Sequence, residues 1–184
     1  MNMPDTNRSL HTEILEFKAR IPHAHALAAV RHKLGQSQAS REGVFHQIDT
    51  YFDVPSGRLK LREVDDQPDA QLIFYDRENR AEPRVSSVVV LEIPKSVRPL
   101  FKQVLNRILK TKTVVDKVRE IYRCEAIEIH LDNVEHLGFF VEFELELGED
   151  SSQLEIYKHK FEQLREQLGI SSLSLEKFSY SDLS

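Results

Sequence analysis

The chain has a single cysteine, Cys124, among 184 residues, which excludes an internal disulfide framework and a cysteine-rich zinc site. Its six glycines are scattered, and neither GxxxxGK(S/T) nor GxGxxG occurs, so no glycine-rich phosphate loop is present. HExxH and GxSxG are absent as well. No apolar run approaches the roughly 18–20 residues of a membrane span, and the opening MNMPDTNRSLHTE lacks the apolar stretch of a secretory leader. A basic excess is also missing. Lys plus Arg is 25 against 30 for Asp plus Glu, a formal charge of −5, which argues against general nucleic-acid binding. These absences lead to the expectation of a cytoplasmic protein with no membrane or nucleic-acid partner. With no repeat and no Pro/Gly-rich linker, residues 1–184 read as one domain, residues 1–12 being a flexible N-terminal extension.

What is present is periodic. Three segments carry a helical period. Pro22–Leu34 has a proline at its start and Gly35 as a stop. Pro99–Lys110 aligns Leu100, Val104 and Ile108 as its packing stripe. Ser152–Leu168 repeats Leu154, Tyr157, Phe161, Leu164 and Leu168 at spacings of three and four, with Ser152 and Glu155 set as a capping box. Elsewhere the period is two. Leu15, Phe17, Ala19 and Ile21 share one face of a strand and Glu16, Lys18 and Arg20 the other. The same alternation runs through Arg58–Arg62, Val114–Arg123, Ile127–Asp132 and Phe139–Leu147, and Leu72–Tyr75 and Val88–Ile93 add two more strands. The fold class is therefore α+β, built on a largely antiparallel sheet. Val64–Ala70 and Asp76–Val85 read as polar loops.

A strand with one charged face is ordinarily half solvated. Here, however, the charges cluster by sign: Lys60 with Arg62, Lys117 with Arg119 and Arg123, and Glu142 with Glu144 and Glu146. Like charges two apart repel, and a sheet curled into a barrel would bury them at high cost. Such an interior is tolerable if the cations meet a polyanion and the carboxylates meet a metal or a basic partner. Lys and Arg suit phosphate oxygens, and paired carboxylates suit Mg2+ or Mn2+. The pattern thus points to a metal–phosphate site. His46, His130 and His136 lie near strands and read as structural or solvated, and Cys124 as a small half-buried residue.

Glu16-Phe17-Lys18, Gln47-Ile48-Asp49-Thr50-Tyr51-Phe52 with Gly57 to Glu63, and Leu72 to Arg77 resemble segments of the CYTH superfamily, the triphosphate tunnel metalloenzymes. Asp116 to Glu120 with Arg123, His130-Leu131-Asp132, Val134-Glu135, Leu137-Gly138, Phe140 to Glu144 and the tail Ser179 to Leu183 continue the likeness in order. The likeness is greatest to the class IV adenylate cyclase branch. It implies an antiparallel eight-stranded β-barrel, the triphosphate tunnel, with flanking helices. It also implies a triphosphate grip of Lys18, Lys60, Arg62, Arg77, Lys117, Arg119 and Arg123, with Lys18, Lys117 and Arg119 as the catalytic cations. Glu16, Glu142, Glu144 and Asp132 would hold Mg2+ or Mn2+, and Arg20, Tyr51, Arg84 and Glu92 are further tunnel candidates. The implied activity is conversion of ATP to cyclic AMP and pyrophosphate; hydrolysis of a triphosphate such as tripolyphosphate, or polyphosphate binding without turnover, are the alternatives. A homodimer is the implied assembly. One departure stands out: the family's ExExK pattern has its first glutamate where this chain has Ile14, and Glu13 beside it falls on the opposite face.

Overall fold

The computed structural model describes residues 10–148 and 153–183. In chain order the elements are β1 (Leu10–Ile21), α1 (Ala24–Gln36), β2 (Ser40–Phe52), β3 (Arg58–Val64), β4 (Ala70–Asp76) and β5 (Arg84–Ile93). There follow α2 (Arg98–Ile108), β6 (Thr111–Cys124), β7 (Ile127–Val134), β8 (Gly138–Leu147), α3 (Leu154–Leu168) and α4 (Tyr180–Leu183). The strands close into a barrel in the order β1-β5-β4-β3-β2-β6-β7-β8, with antiparallel pairing at every seam. Leu10, His11 and Thr12 belong to β1, and residues 1–9 of the expected extension lie outside the described residues. No helix among the described residues is long and apolar enough to cross a membrane.

The hydrophobic core lies outside the barrel wall. On β1 the odd residues Leu15, Phe17, Ala19 and Ile21 are buried together with Ile127, Ile129 and Leu131 of β7 and Val141, Phe143 and Leu145 of β8. Leu27, Val30 and Leu34 of α1 and Phe161, Leu164 and Leu168 of α3 cover this face. The Phe143 ring lies 4.9 Å from that of Phe17 and meets Phe161 edge-on at 5.5 Å, the offset and T-shaped geometries that aromatic quadrupoles favour. Arg31 anchors α1 to β6 through a bidentate pair with Glu120. With the apolar faces turned outward under the helices, period two places the charged faces inside.

One sequence expectation is corrected. The stripe Leu100, Val104 and Ile108 of α2 is exposed; the helix instead sets Phe101 and Leu105 against Phe52, Leu61, Ala70 and Ile93. In an 11-residue helix two adjacent apolar stripes compete, and here the outer wall of β2–β5 receives the neighbouring one. Strand β2 went unread by alternation because its inward residues Gln47, Asp49 and Tyr51 mix polar with aromatic character. Ser152, half of the expected capping box, lies outside the described residues, and the helix cap that is described, Gln153, makes no side-chain cap bond.

The segment after α3 returns to the barrel. Leu175 bridges Ala19, the Glu176 N–H donates to the Lys18 carbonyl at 2.9 Å, and α4 brings Tyr180 edge-on to Phe140 at 5.0 Å. Arg58 and Lys112 both pair with Asp182, at 2.7 and 2.8 Å.

On the outer surface His46 links three elements: Nδ1 lies 2.8 Å from Asp65 and Nε2 2.8 Å from Asp116. Hydrogen bonding to Asp65, then to Asp116, raises its pKa above the ordinary imidazole value. A raised folded pKa contributes stability that is fully present below the unfolded value, about 6.5, and is lost as pH rises through the folded value. The difference in melting temperature between the natural protein and His46→Asn is therefore expected to be larger at pH 6 than at pH 9; thermal melts of both proteins at the two pH values check this.

Candidate functional site

The barrel encloses a cavity of about 560 Å³, within the range of small-molecule sites. Its wall is divided by charge. On one side Lys60 and Arg62 project from β3 and Lys117 and Arg119 from β6, all lining the cavity. Each pair is pinned from behind by one carboxylate. Asp49 of β2, fully buried, accepts from Lys60 at 3.0 Å and from Arg62 at 2.7 and 2.8 Å. Asp132 of β7, also fully buried, accepts from Arg119 at 2.7 and 2.6 Å, from Lys117 at 3.4 Å and from the Tyr180 hydroxyl at 2.8 Å. Register produces this arrangement: Asp49 stands opposite Arg62, and Asp132 opposite Arg119.

The other side carries the carboxylates. Glu16 of β1 faces Glu144 of β8, and Glu144 faces Glu128 of β7, in one row across three strands. The next row runs Lys18, Glu142, His130. Glu142 pairs with Lys18 at 2.9 Å and with Arg119 at 2.5 Å, while Glu16 is held by Arg77 and, at 2.8 Å, by Arg84. Lys18 Nζ also sits 3.7 Å above the ring of Tyr180, a cation–π contact that leaves the ammonium facing the cavity.

The electrostatics follow from this packing. Burial works against the charge on Asp49, yet Arg62 and Lys60 outweigh it and hold the carboxyl well below the usual range. Glu142 is likewise well below it, Lys18 and Arg119 overcoming burial, and Asp132 is lowered by Arg119 and Lys117 against the same penalty. The lysines move the other way. Burial and then Arg62 bring Lys60 down to about 7, and burial and then Arg119 bring Lys117 down to about 8. Burial raises Glu16 despite Arg77 and Lys18. Burial is thus the first cause of the lowering of both lysines and a neighbouring arginine the second, and an anion in the cavity would offset both.

The other sequence-marked residues take distinct places. Tyr51 lies buried in the lining, its ring 5.6 Å from Lys60 Nζ. Arg84 is buried beside Glu16 and also donates to the carbonyls of Arg80 and Glu176. Arg123 sits at the rim, paired with Glu42 and Glu128, and does not line the cavity. Arg20 stacks over Phe140 at 4.6 Å and donates to the Leu137 carbonyl outside the lining. Glu92 is exposed beyond the cavity, on the same face of β5 as Val88 and Val90. Asp132 lies behind the cations with both oxygens engaged. Of the expected metal ligands, Glu16, Glu142 and Glu144 are thus brought together, and Asp132 stands apart from them.

Fitting a divalent cation to this wall favours the β7–β8 side. Glu128, His130 and Glu144 each offer a ligand atom, and these atoms lie within 4.8 Å of one another. His130 Nδ1 is buried without a hydrogen-bond partner. The wall therefore suits a cation, with Glu144 as the carboxylate common to the expected set and this cluster. Asp49, His130 and Tyr180 were not marked from sequence. Asp49 shares the inward parity of Tyr51 in Gln47–Tyr51, and His130 that of Asp132, so strand period held a signal for both. Tyr180 follows the last strand, so period held no signal for it, and it lies in the tail that carries the family likeness. Ile14 does line the cavity, whose apolar lining also includes Ile73 of β4 and Val88 and Val90 of β5.

The CYTH domain model matches residues 12–180. A protein of Methanocaldococcus jannaschii named "Putative adenylate cyclase MJ0240" is 25 % identical over 173 residues, 92 % of this chain and 97 % of that protein. Among solved structures, a conserved hypothetical protein of Pyrococcus furiosus superposes with a TM-score of 0.78 at 24 % identity, covering 93 % of this chain and 99 % of that one. HpAC1 of Hippeastrum, an adenylyl cyclase candidate described as having a dominant triphosphatase activity, superposes with a TM-score of 0.63 at 18 % identity, covering 94 % and 93 %.

Removing one member of a buried ion cluster leaves its partners charged and unpaired, at a cost of about 3–5 kcal/mol. Arg119→Met is expected to lower stability by about that amount, since Asp132 and Glu142 both lose a partner. Adding Asp132→Asn to Arg119→Met should recover part of the loss, and urea unfolding of the two variants measures both effects.

Proposed function

The chain belongs to the CYTH domain family, and from that membership and the divided wall we propose that it binds a nucleoside triphosphate inside the barrel and converts ATP to cyclic AMP and pyrophosphate. The observation that carries the triphosphate is a cluster of buried or half-buried cations: Lys18, Lys60, Arg62, Lys117 and Arg119 all line one cavity. The apolar lining of Ile14, Ile73, Val88 and Val90 favours a substrate with an organic part over bare polyphosphate, because burying an apolar ring there gains about 25 cal/mol per Å².

On this reading Lys60, Arg62, Lys117 and Arg119 grip the phosphate oxygens. Arg62 and Arg119 arrive with their guanidinium planes already fixed by Asp49 and Asp132, so little freedom is lost on binding. The same cations face the charge that grows on pyrophosphate as the bond from the α-phosphorus breaks and the 3′-oxygen bond forms. Transfer of this kind relies on positioning and electrostatic stabilisation more than on covalent chemistry by the protein. A divalent ion, held by Glu144 with neighbouring groups of the carboxylate side, would supply Lewis-acid polarisation of the phosphate. Lys18, between Glu142 and Tyr180, keeps its ammonium at the boundary of the two charged sides.

Hydrolysis of the terminal phosphate is the second reading. It is favoured by the likeness in fold to HpAC1, the protein described with a dominant triphosphatase activity. Offering ATP and tripolyphosphate separately with Mg2+ or Mn2+ separates the readings. Cyclic AMP with equal pyrophosphate from ATP is expected. Orthophosphate without cyclic AMP would make the protein a triphosphatase, and binding without either product would leave a polyphosphate-binding module.

The lysine pKa values give a further expected outcome. A bound polyanion restores the proton to Lys60 and Lys117, so binding takes up protons, and affinity for tripolyphosphate should fall as pH rises from 7 to 9. Lys117→Ala should weaken tripolyphosphate binding about tenfold or more, as expected for losing a charge-assisted contact of about 1.5–3 kcal/mol. Titration calorimetry at the two pH values measures both effects.

A further inference from the structure

We infer that Nδ1 of His130 and the carboxylate of Glu144 form a mixed nitrogen–oxygen seat for a first-row transition-metal ion, with Glu128 fixing the histidine, so that the cation of this barrel is of the Mn2+ kind rather than Mg2+. The inference rests on the triphosphate reading above and adds to it the identity of a ligand atom and the class of metal.

Strand pairing builds the seat. Glu128 stands opposite Glu144 and His130 opposite Glu142 across the β7–β8 seam, so the imidazole rises between two carboxylates of the facing strand and one of its own. The ring is 2 % exposed. Its Nε2 lies 3.1 Å from Glu128 Oε2, which leaves Nδ1 as the atom turned to the other carboxylates. That atom has no hydrogen-bond partner. It is 3.6 Å from Glu144 Oε1 and 3.8 Å from Glu142 Oε2, too far for a hydrogen bond, whose usual limit is about 3.2 Å. Two donors each about 2.1 Å from one ion stand roughly 3–3.5 Å apart, so the separation from Glu144 is close to that of two ligands sharing a cation. Glu142 is committed elsewhere, to Lys18 and Arg119, and Glu144 is the carboxylate left to complete the pair.

The role of Glu128 follows from its hydrogen bond. Metal-bound histidines commonly give their second ring N–H to a carboxylate, which sets the tautomer and makes the coordinating nitrogen a better donor. Here Glu128 would receive the Nε2 proton and Nδ1 would offer its lone pair to the ion. An imidazole ligand disfavours Mg2+, which prefers oxygen donors and octahedral water, and suits first-row transition ions. Of the charged groups facing this ring, Glu128, Glu142 and Glu144 are acidic and Arg119 is basic, so a protonated imidazole held by carboxylates alone is the arrangement that an experiment must distinguish.

Pulsed electron paramagnetic resonance of Mn2+ bound to the full chain, without nucleotide, makes that distinction. Echo modulation from a directly bonded 14N nucleus is expected in the natural protein and lost in His130→Asn. In that variant Mn2+ affinity should fall about 10–100-fold while Mg2+ affinity changes less than about twofold, because oxygen donors alone serve Mg2+. Glu128→Gln, which keeps the ligand and alters its orienting partner, should weaken Mn2+ binding about tenfold and retain the modulation. Failure of Mn2+ to bind, Mn2+ bound with no nitrogen modulation in the natural protein, or equal loss of both metals in His130→Asn would overturn the seat. If His130→Asn does not fold, the natural protein's modulation and Glu128→Gln still decide. Tripolyphosphate binding in metal-free buffer is measured alongside: its absence would remove the triphosphate reading, whereas its presence without the nitrogen signal removes the seat alone.

Discussion

Charge buried without a partner costs several kcal/mol per ion, and every large feature of this molecule answers to that constraint. The barrel interior holds lysines, arginines, aspartates and glutamates where a small barrel would ordinarily hold branched aliphatics. It persists because Asp49 and Asp132 each pin two cations, and because Glu142 joins Lys18 to Arg119. The apolar core must then lie on the other side of the sheet. That is why α1 and α3 are packed against β1, β7 and β8, and why Phe143 is buried between Phe17 and Phe161.

The same constraint separates two kinds of inner charge. Asp49 and Asp132 are fully buried behind the cations, where their oxygens set the direction of the guanidinium planes. Lys60 and Lys117 border the cavity, where burial and a neighbouring arginine draw them down to about 7 and about 8. Arginines with fixed planes and lysines lowered by burial thus share one wall. The carboxylate side has a parallel division: Glu16 and Glu142 are engaged by cations, while Glu144 faces the histidine.

Much of this was legible in the sequence, for reasons that can be named. The alternation in Leu15–Ile21 and Phe139–Leu147 set one charged and one apolar face, and same-sign clustering at Lys60/Arg62, Lys117/Arg119 and Glu142/Glu144/Glu146 gave the charged faces an inward direction. Closure into eight strands came from the family resemblance, because β2 carries Gln47, Asp49 and Tyr51 inward and shows no apolar alternation. On α2 the sequence offered two apolar stripes, and only the tertiary wall of Phe52, Leu61 and Ile93 selects Phe101 and Leu105. The counter-ion role of Asp49 depends on Lys60 and Arg62 of the neighbouring strand, eleven and thirteen residues away, and the hydrogen bond from Tyr180 to Asp132 depends on a tail folding back over β1. Neither is a property of local period. His130 illustrates the same limit: it reads from sequence as structural or solvated although it shares the parity of Asp132, and the unpartnered Nδ1 emerges only when β7 and β8 are set in register.

The closing seam has a consequence for the order of assembly. Strand β1 is paired with β8 from Glu13–Leu147 to Ile21–Phe139, partners separated by most of the chain. Until β8 is made, β1 has one unpaired edge, and its outward row Leu15, Phe17, Ala19 and Ile21 lacks Val141, Phe143 and Leu145 beside it. Contacts of such long sequence separation pay their loop-closure entropy before they return any stabilisation, which slows folding relative to locally connected domains. A growing chain therefore carries an open, half-apolar strand edge through most of its synthesis, and the charged interior is closed only once β8 pairs with β1.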